Sequence, residues 1–119
     1  MRDEIMWWMS RLTIMLTSLF LSFTLAAQAY AAEIQMGYEG NLVFEPNEIT
    51  IDAGETVTFV NNALPPHNII VDGRADLSSE SLMFSPGETQ EIVFADTGDF
   101  NFKCAPHEGA GMKGVIHVK

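Results

Sequence analysis

From Ile34 onward the apolar residues recur at every second position, in short bursts broken by turn residues, and no stretch keeps a helical period. Ile34, Met36 and Tyr38 alternate with polar neighbours, Leu42-Val43-Phe44 ends at Pro46, and Ile49 and Ile51 alternate with Thr50 and Asp52. Thr56-Val57-Thr58-Phe59-Val60, Asn68-Ile69-Ile70-Val71, Glu91-Ile92-Val93-Phe94, Phe100-Asn101-Phe102 and Gly114-Val115-Ile116-His117-Val118 continue the series. Period two places alternate side chains on opposite faces of a strand, so each burst has one face for a core and one for water. Asp52-Ala53-Gly54-Glu55, Ser85-Pro86-Gly87 and Thr97-Gly98-Asp99 supply the turns. Seven or eight short strands at this spacing predict an all-β Greek-key β-sandwich. Gly73 to Glu80 is polar and is expected to be a loop with room for one helical turn.

The chain begins differently. The uncharged run Leu12–Ala27 follows Arg11 and leads into the small-residue sequence Ala27-Gln28-Ala29-Tyr30-Ala31-Ala32, which is the form of a cleaved secretory signal. The run is shorter than the roughly 20 residues a membrane-spanning helix needs, and no basic stop-transfer cluster follows. Residues 1–31 are therefore expected to be a signal peptide, with cleavage after Ala31 or close to it. Asp3 and Glu4 are unusual in the charged start of a signal, and initiation at Met9 would give a cleaner one. Residues 32–119 are expected to form one exported domain with no integral membrane segment.

Charge narrows the partners. The full chain of 119 residues has a net charge of −10, from 6 basic and 16 acidic residues, and all of that imbalance lies in the exported part. Affinity for phosphate backbones needs clustered Lys and Arg, so nucleic acid is excluded as an expected partner. Eight Phe and 47% hydrophobic residues exclude a disordered chain. One Cys cannot form an internal disulfide, so a domain this small gains most from a closed sheet topology or a bound metal.

The residues able to hold a metal cluster near the C-terminus. Cys104-Ala105-Pro106-His107-Glu108-Gly109-Ala110-Gly111-Met112 offers a thiolate, an imidazole and a thioether, and His67 stands far upstream in Leu64-Pro65-Pro66-His67-Asn68. Taken singly, Cys104 reads as a small buried hydrophobe, His67 as an exposed loop residue and Met112 as a gap-filler. Taken together, one thiolate, two imidazoles and a weak axial thioether are the ligand composition of an electron-transfer copper site. The strand period puts Phe100, Phe102 and Cys104 on one face, so the sulfur is expected to point where the aromatic core points. His117 alternates with Ile116 and Val118 away from this loop and is expected to be a surface or edge residue.

Gly40-Asn41-Leu42-Val43-Phe44-Glu45-Pro46, Asn61-Asn62-Ala63-Leu64-Pro65-Pro66-His67-Asn68 and Cys104 through Met112 closely resemble the plastocyanins, particularly those of cyanobacteria. The resemblance covers nearly all of residues 32–119. It implies a cupredoxin-like fold holding one type 1 copper ion, Cu(I)/Cu(II), with His67, Cys104, His107 and Met112 as ligands and Asn68 bracing the ligand loop. It implies a docking face of Leu42, Pro65, Pro66, Gly109, Ala110 and Gly111 around the exposed edge of His107. It also implies a monomeric, non-enzymatic carrier in the thylakoid lumen, taking electrons from cytochrome f of the cytochrome bf complex and passing them to photosystem I through transient encounters.

Three departures distinguish this chain from the family pattern. Lys103 stands where plastocyanins usually carry a Tyr that serves a second, remote route for electrons. The segment between the His67 strand and the Met83-Phe84 strand is shorter than usual, and Glu108 stands where many cyanobacterial members have a basic or neutral residue. The shortened segment and Lys103 keep open a pseudoazurin- or amicyanin-like donor to a periplasmic enzyme, and a copper carrier, which would use similar soft ligands, is a further alternative. A multicopper enzyme needs more than the three His present, and a cysteine hydrolase needs a third, orienting partner that the sequence does not offer.

Overall fold

The computed structural model describes residues 32–119; the expected signal peptide lies outside the described residues. Nine strands form two packed sheets. The first contains β1 (Ala32–Met36), β2 (Phe44–Glu45), β4 (Glu55–Asn61) and β7 (Thr89–Phe94), in the order β2-β1-β4-β7. The second contains β3 (Glu48–Ile51), β5 (His67–Val71), β6 (Ser79–Met83), β8 (Gly98–Lys103) and β9 (Lys113–Val118), in the order β3-β9-β8-β5-β6. β1 runs parallel to β4 and β3 parallel to β9, while the other pairs are antiparallel.

The all-β sandwich expected from the sequence is present, with nine strands against the seven or eight anticipated. The addition is β6, expected only as a short Met83-Phe84 strand, since its polar residues hide the rest of its pairing with β5. Before it, Ala75–Leu77 makes the single helical turn that the segment had room for. Tyr38 departs from its expected place in the first strand. Gly37 takes a left-handed φ of 75° and ends β1, leaving Tyr38 exposed in a short turn.

The inward faces follow the period-two pattern. Phe59 on β4 meets Phe102 on β8, and Val57, Cys104, Ile34, Met36, Phe44, Ile69, Ile116 and Met112 are buried in the same core. Phe44, Phe59 and Phe102 pack edge to face, with centroids 4.7 to 6.2 Å apart. Such pairs add about 0.5–1.5 kcal/mol beyond the area they bury. This aromatic cluster lies just ahead of Cys104 in β8 and gives the ligand loop a rigid base. Among the described residues no helix is long and apolar enough to cross a membrane.

Candidate metal centre

The site is built where two sheet strands end. His67 opens β5 with its ring fully buried, and Cys104, also fully buried, follows β8 on the face shared with Phe102. Between β8 and β9 the chain makes a tight 3₁₀ segment, Ala105–Ala110, with Pro106 in its first turn, where a missing N–H is tolerated. Gly111, at φ 83°, lets the chain turn out of it. The His107 N–H donates to the Cys104 carbonyl (3.2 Å), the Met112 N–H to the His107 carbonyl (3.3 Å), and the Cys104 N–H to the Met112 carbonyl (3.1 Å). These bonds close the loop on itself and bring Met112, fully buried, back beside Cys104.

Three potential ligand atoms converge. His67 Nδ1 and His107 Nδ1 are 3.2 Å apart, and Cys104 Sγ lies 3.7 Å from the first and 3.4 Å from the second. A triangle with these sides has a centre about 2 Å from each corner, close to the length of a metal–imidazole bond. Three lone-pair atoms aimed at one point fit a metal ion better than they fit one another. His67, Cys104, His107 and Met112 thus form an arrangement like a type 1 copper site, and the group can bind one copper ion.

Burial sets the proton chemistry of the two inner groups. It pushes the Cys104 thiol up, while the backbone N–H groups of Asn68 and His107 act the other way. Burial also lowers His67, as does the neighbouring His107, and the Ala63 carbonyl opposes them although no well-formed hydrogen bond reaches Nε2. A neutral imidazole is the form that ligates, and a metal offsets the cost of ionising a buried thiol.

The surroundings hold the loop in place. Asn68 accepts a hydrogen bond from the Ala105 N–H at Oδ1 (2.9 Å) and donates from Nδ2 to the Glu80 carbonyl (3.1 Å), so one buried side chain ties the loop to β5 and β6. Asn61, buried at the end of β4, donates to the Met83 and Ser85 carbonyls at 3.3 and 3.1 Å. Lys103 Nζ reaches Glu108 Oε1 at 3.2 Å, pairing two of the three departures with each other.

His107 is the one ring of the pair that reaches the surface, being half-buried. Pro65, Gly109, Ala110 and Gly111 are exposed, Pro66 is half-buried, and Leu42 is half-buried against the core. Two exposed apolar side chains at this end were not singled out in the sequence. Leu64 is 61% exposed three residues before His67, and Phe84, 56% exposed, follows Met83, the cross-strand partner of His67. Their signal was a large apolar residue beside a Pro or a Pro-Gly turn, where water is the expected neighbour. His117 lies apart, on the outer face of β9. It is a surface residue but not at an edge, since β9 runs between β3 and β8, and its ring nitrogens meet Asp99 at 2.6 Å and Glu48 at 2.7 Å.

The profile of the family described as copper binding proteins, plastocyanin/azurin family, matches residues 31–119. The chain belongs to the plastocyanin/azurin family. Plastocyanin of Nostoc punctiforme is 41% identical, with the match covering 91% of this chain and 88% of that protein. The chloroplastic plastocyanin of Physcomitrium patens is 43% identical over 82% of this chain, and the match spans 63% of the moss protein's length. Oxidised plastocyanin of the fern Dryopteris crassirhizoma superposes with a TM-score of 0.66 at 32% identity, covering 74% of this chain and all of the fern chain. Amicyanin of Paracoccus versutus superposes at 0.62 with 25% identity, covering 79% and 86%. The fold is thus the cupredoxin β-sandwich. With its His-Cys-His-Met group, the chain is a blue-copper electron carrier of this family.

Proposed function

We propose that the chain carries single electrons from cytochrome f of the cytochrome bf complex to photosystem I in the thylakoid lumen, with His67, Cys104, His107 and Met112 as its copper ligands. The observation that carries this reading is the ligand triangle with two corners fully buried and the third, His107, opening at an apolar end of the sandwich. A bound copper supplies the one-electron Cu(I)/Cu(II) couple. The protein supplies the frame. His67 is fixed by β5, Cys104 by β8, and Asn68 holds the loop so that the four side chains keep one arrangement in both charge states.

His107 is the exit to a partner. Leu42, Pro65, Pro66, Gly109, Ala110 and Gly111 surround it with small or apolar groups that let another protein approach closely, and Leu64 and Phe84 widen that face. A small, weakly charged contact area suits a short-lived encounter. The net charge of −10 steers a basic partner surface towards the molecule from a distance. In this reading residues 1–31 are the cleaved export signal and residues 32–119 act as a monomer.

A periplasmic donor of the amicyanin kind is the second reading. It is favoured by the short β5–β6 connection over residues 72–78 and by Lys103, with the amicyanin fold as background. Transfer of copper to another protein is disfavoured by the complete burial of Cys104. The deciding experiment takes residues 32–119 with Cu(II), records the visible and EPR spectra, and then measures electron transfer to isolated photosystem I. An intense thiolate-to-copper band, narrow copper hyperfine splitting and fast re-reduction of the photosystem are expected. A blue protein inert towards the photosystem would move the function to the periplasmic donor, and a colourless Cu(I)-only protein would move it to copper transport.

A further inference from the structure

Gly37 is buried at the end of β1, with φ 75° and ψ 35°. Its N–H donates to the Val43 carbonyl at 3.0 Å and its carbonyl accepts from the Gly40 N–H at 2.9 Å, so the turn is pinned on both sides. A Cβ at this position would stand 2.7 Å from His67 Nε2, 3.4 Å from His67 Cδ2 and 3.3 Å from the Ala63 carbonyl oxygen. The first distance is shorter than carbon and nitrogen atoms tolerate without bonding. The bare backbone of Gly37 therefore lies directly behind the imidazole whose front atom, Nδ1, faces Cys104 Sγ and His107 Nδ1.

Backbone surrounds the rear of that ring, with the Ala63 carbonyl oxygen on one side and Gly37 on the other. Nε2 is buried and has no partner in full hydrogen-bond geometry among the described residues, so contact with Gly37 and the nearby Ala63 carbonyl together limit its position there. The base of the ring is held as well, because His67 is paired across β5–β6 with Met83. A ring fixed at its base and pressed at Nε2 has to tilt, and the tilt moves Nδ1 within the ligand triangle. We propose that Gly37 is a positioning residue of the metal centre, its missing side chain leaving the space His67 occupies and its backbone acting as the stop that fixes Nδ1. The proposal rests on His67 being a copper ligand, as in the function proposed above. Close packing behind a ligand is one way to keep it still when the charge on its metal changes.

Gly40 provides an internal control. It lies in the same turn at φ 79°, nearly the same backbone conformation, yet a Cβ there meets nothing within 4 Å. Gly37→Ala and Gly40→Ala thus share the backbone cost of a left-handed residue, and only the first touches His67. Visible and EPR spectra and copper affinity are compared for both variants and the wild type. Gly37→Ala is expected to widen the copper hyperfine splitting, shift the visible bands and weaken copper binding by roughly 10–100-fold, the range for residues that orient a ligand from behind. Gly40→Ala is expected to keep the wild-type spectrum.

Equal spectra in the two variants, whether both altered or both unchanged, would overturn the proposal. If Gly37→Ala does not fold, NMR of the wild-type domain replaces it. A close contact between Gly37 Hα and the His67 ring is expected in both the metal-free and Cu(I) forms, and its absence from either overturns the proposal. A wild-type domain without a blue spectrum would sink the electron-carrier reading, while the metal-free NMR contact would still judge the placement of Gly37.

Discussion

Each residue of the site is asked to do one thing, and replacing it singly shows which. Met112→Leu is expected to keep copper bound and to raise the reduction potential by on the order of 100 mV, between one and two tenfold steps of a one-electron equilibrium. Voltammetry of the refolded variant reads this, and complete loss of copper would show that Met112 is an essential ligand and not a weak axial one. Asn68→Ala removes both bonds that tie the loop to β5 and β6 and leaves the Ala105 N–H and the Glu80 carbonyl without that partner. A loss of about 1–3 kcal/mol is expected for the metal-free domain in urea unfolding. The His-Cys-His-Met group was legible because three of its members fall within one short loop and their softness matches one metal. Gly37, Asn61 and the Lys103–Glu108 pair were not legible as parts of the site, since each acts across strands or through a contact that sequence spacing does not encode.

Strands were legible wherever one face is buried and the other wet, because that is the only condition that writes period two into a sequence. All of β6 but its Met83 end escaped because Ser79, Glu80, Ser81 and Leu82 are all partly or fully exposed, leaving Met83 as its single buried residue. Sheet order was also beyond reach, since nothing local announces that β3 runs beside β9. The pairing of β8 with β9 depends on a residue that carries no side chain. A Cβ at Gly114 would lie 2.3 Å from Phe102 Cζ and 2.5 Å from the Asn47 carbonyl oxygen. Gly114→Ala is therefore expected to destabilise the fold by about 1–3 kcal/mol or more through overpacking, with the unfolding midpoint in urea as the readout.

His117 joins three neighbouring strands of the same sheet, taking Asp99 from β8 and Glu48 from β3 on its two ring nitrogens. Those hydrogen bonds, Asp99 first and Glu48 second, raise its proton affinity above the ordinary 6.5. A raised folded value means that the folded state binds the proton more tightly, so the clamp is fully present below pH 6.5 and is lost as pH climbs through the raised value. The stability gap between wild type and His117→Gln is expected to be widest in mild acid, where the imidazole is charged and carboxylates are ionised, and to close in alkali. A gap that does not vary with pH would mean that the imidazole stabilises these strands without its charge.

At the scale of the whole molecule, the proposed function divides the work of recognition between charge and apolar surface. The excess of acidic groups governs how often a basic partner arrives, so the second-order rate with such a partner is expected to fall several-fold as salt rises and the Debye length shrinks from about 30 Å at 0.01 M to about 8 Å at 0.15 M. Stopped-flow traces across that range measure it, and a flat profile would remove charge steering. The apolar end governs what happens after arrival. Leu42→Glu and Phe84→Ser are each expected to slow transfer to photosystem I by about tenfold, or 1.4 kcal/mol, with the visible spectrum unchanged. A spectral change on replacing Leu42 would place that residue in the copper site itself.

The order in which the strands occur along the chain has a consequence for assembly. All four strands of the first sheet lie within residues 32–94, whereas the second cannot close until β9 slides between β3 and β8. Cys104, His107 and Met112 hang on that last join, and the Lys119 N–H and carbonyl then latch the C-terminus to Ile51 and Ala53. The first sheet is therefore complete in the chain without β9, whereas the socket for a metal depends on it. A metal held there fastens the join made by the last strand of the chain, and leaves the first sheet to its own hydrogen bonds and core.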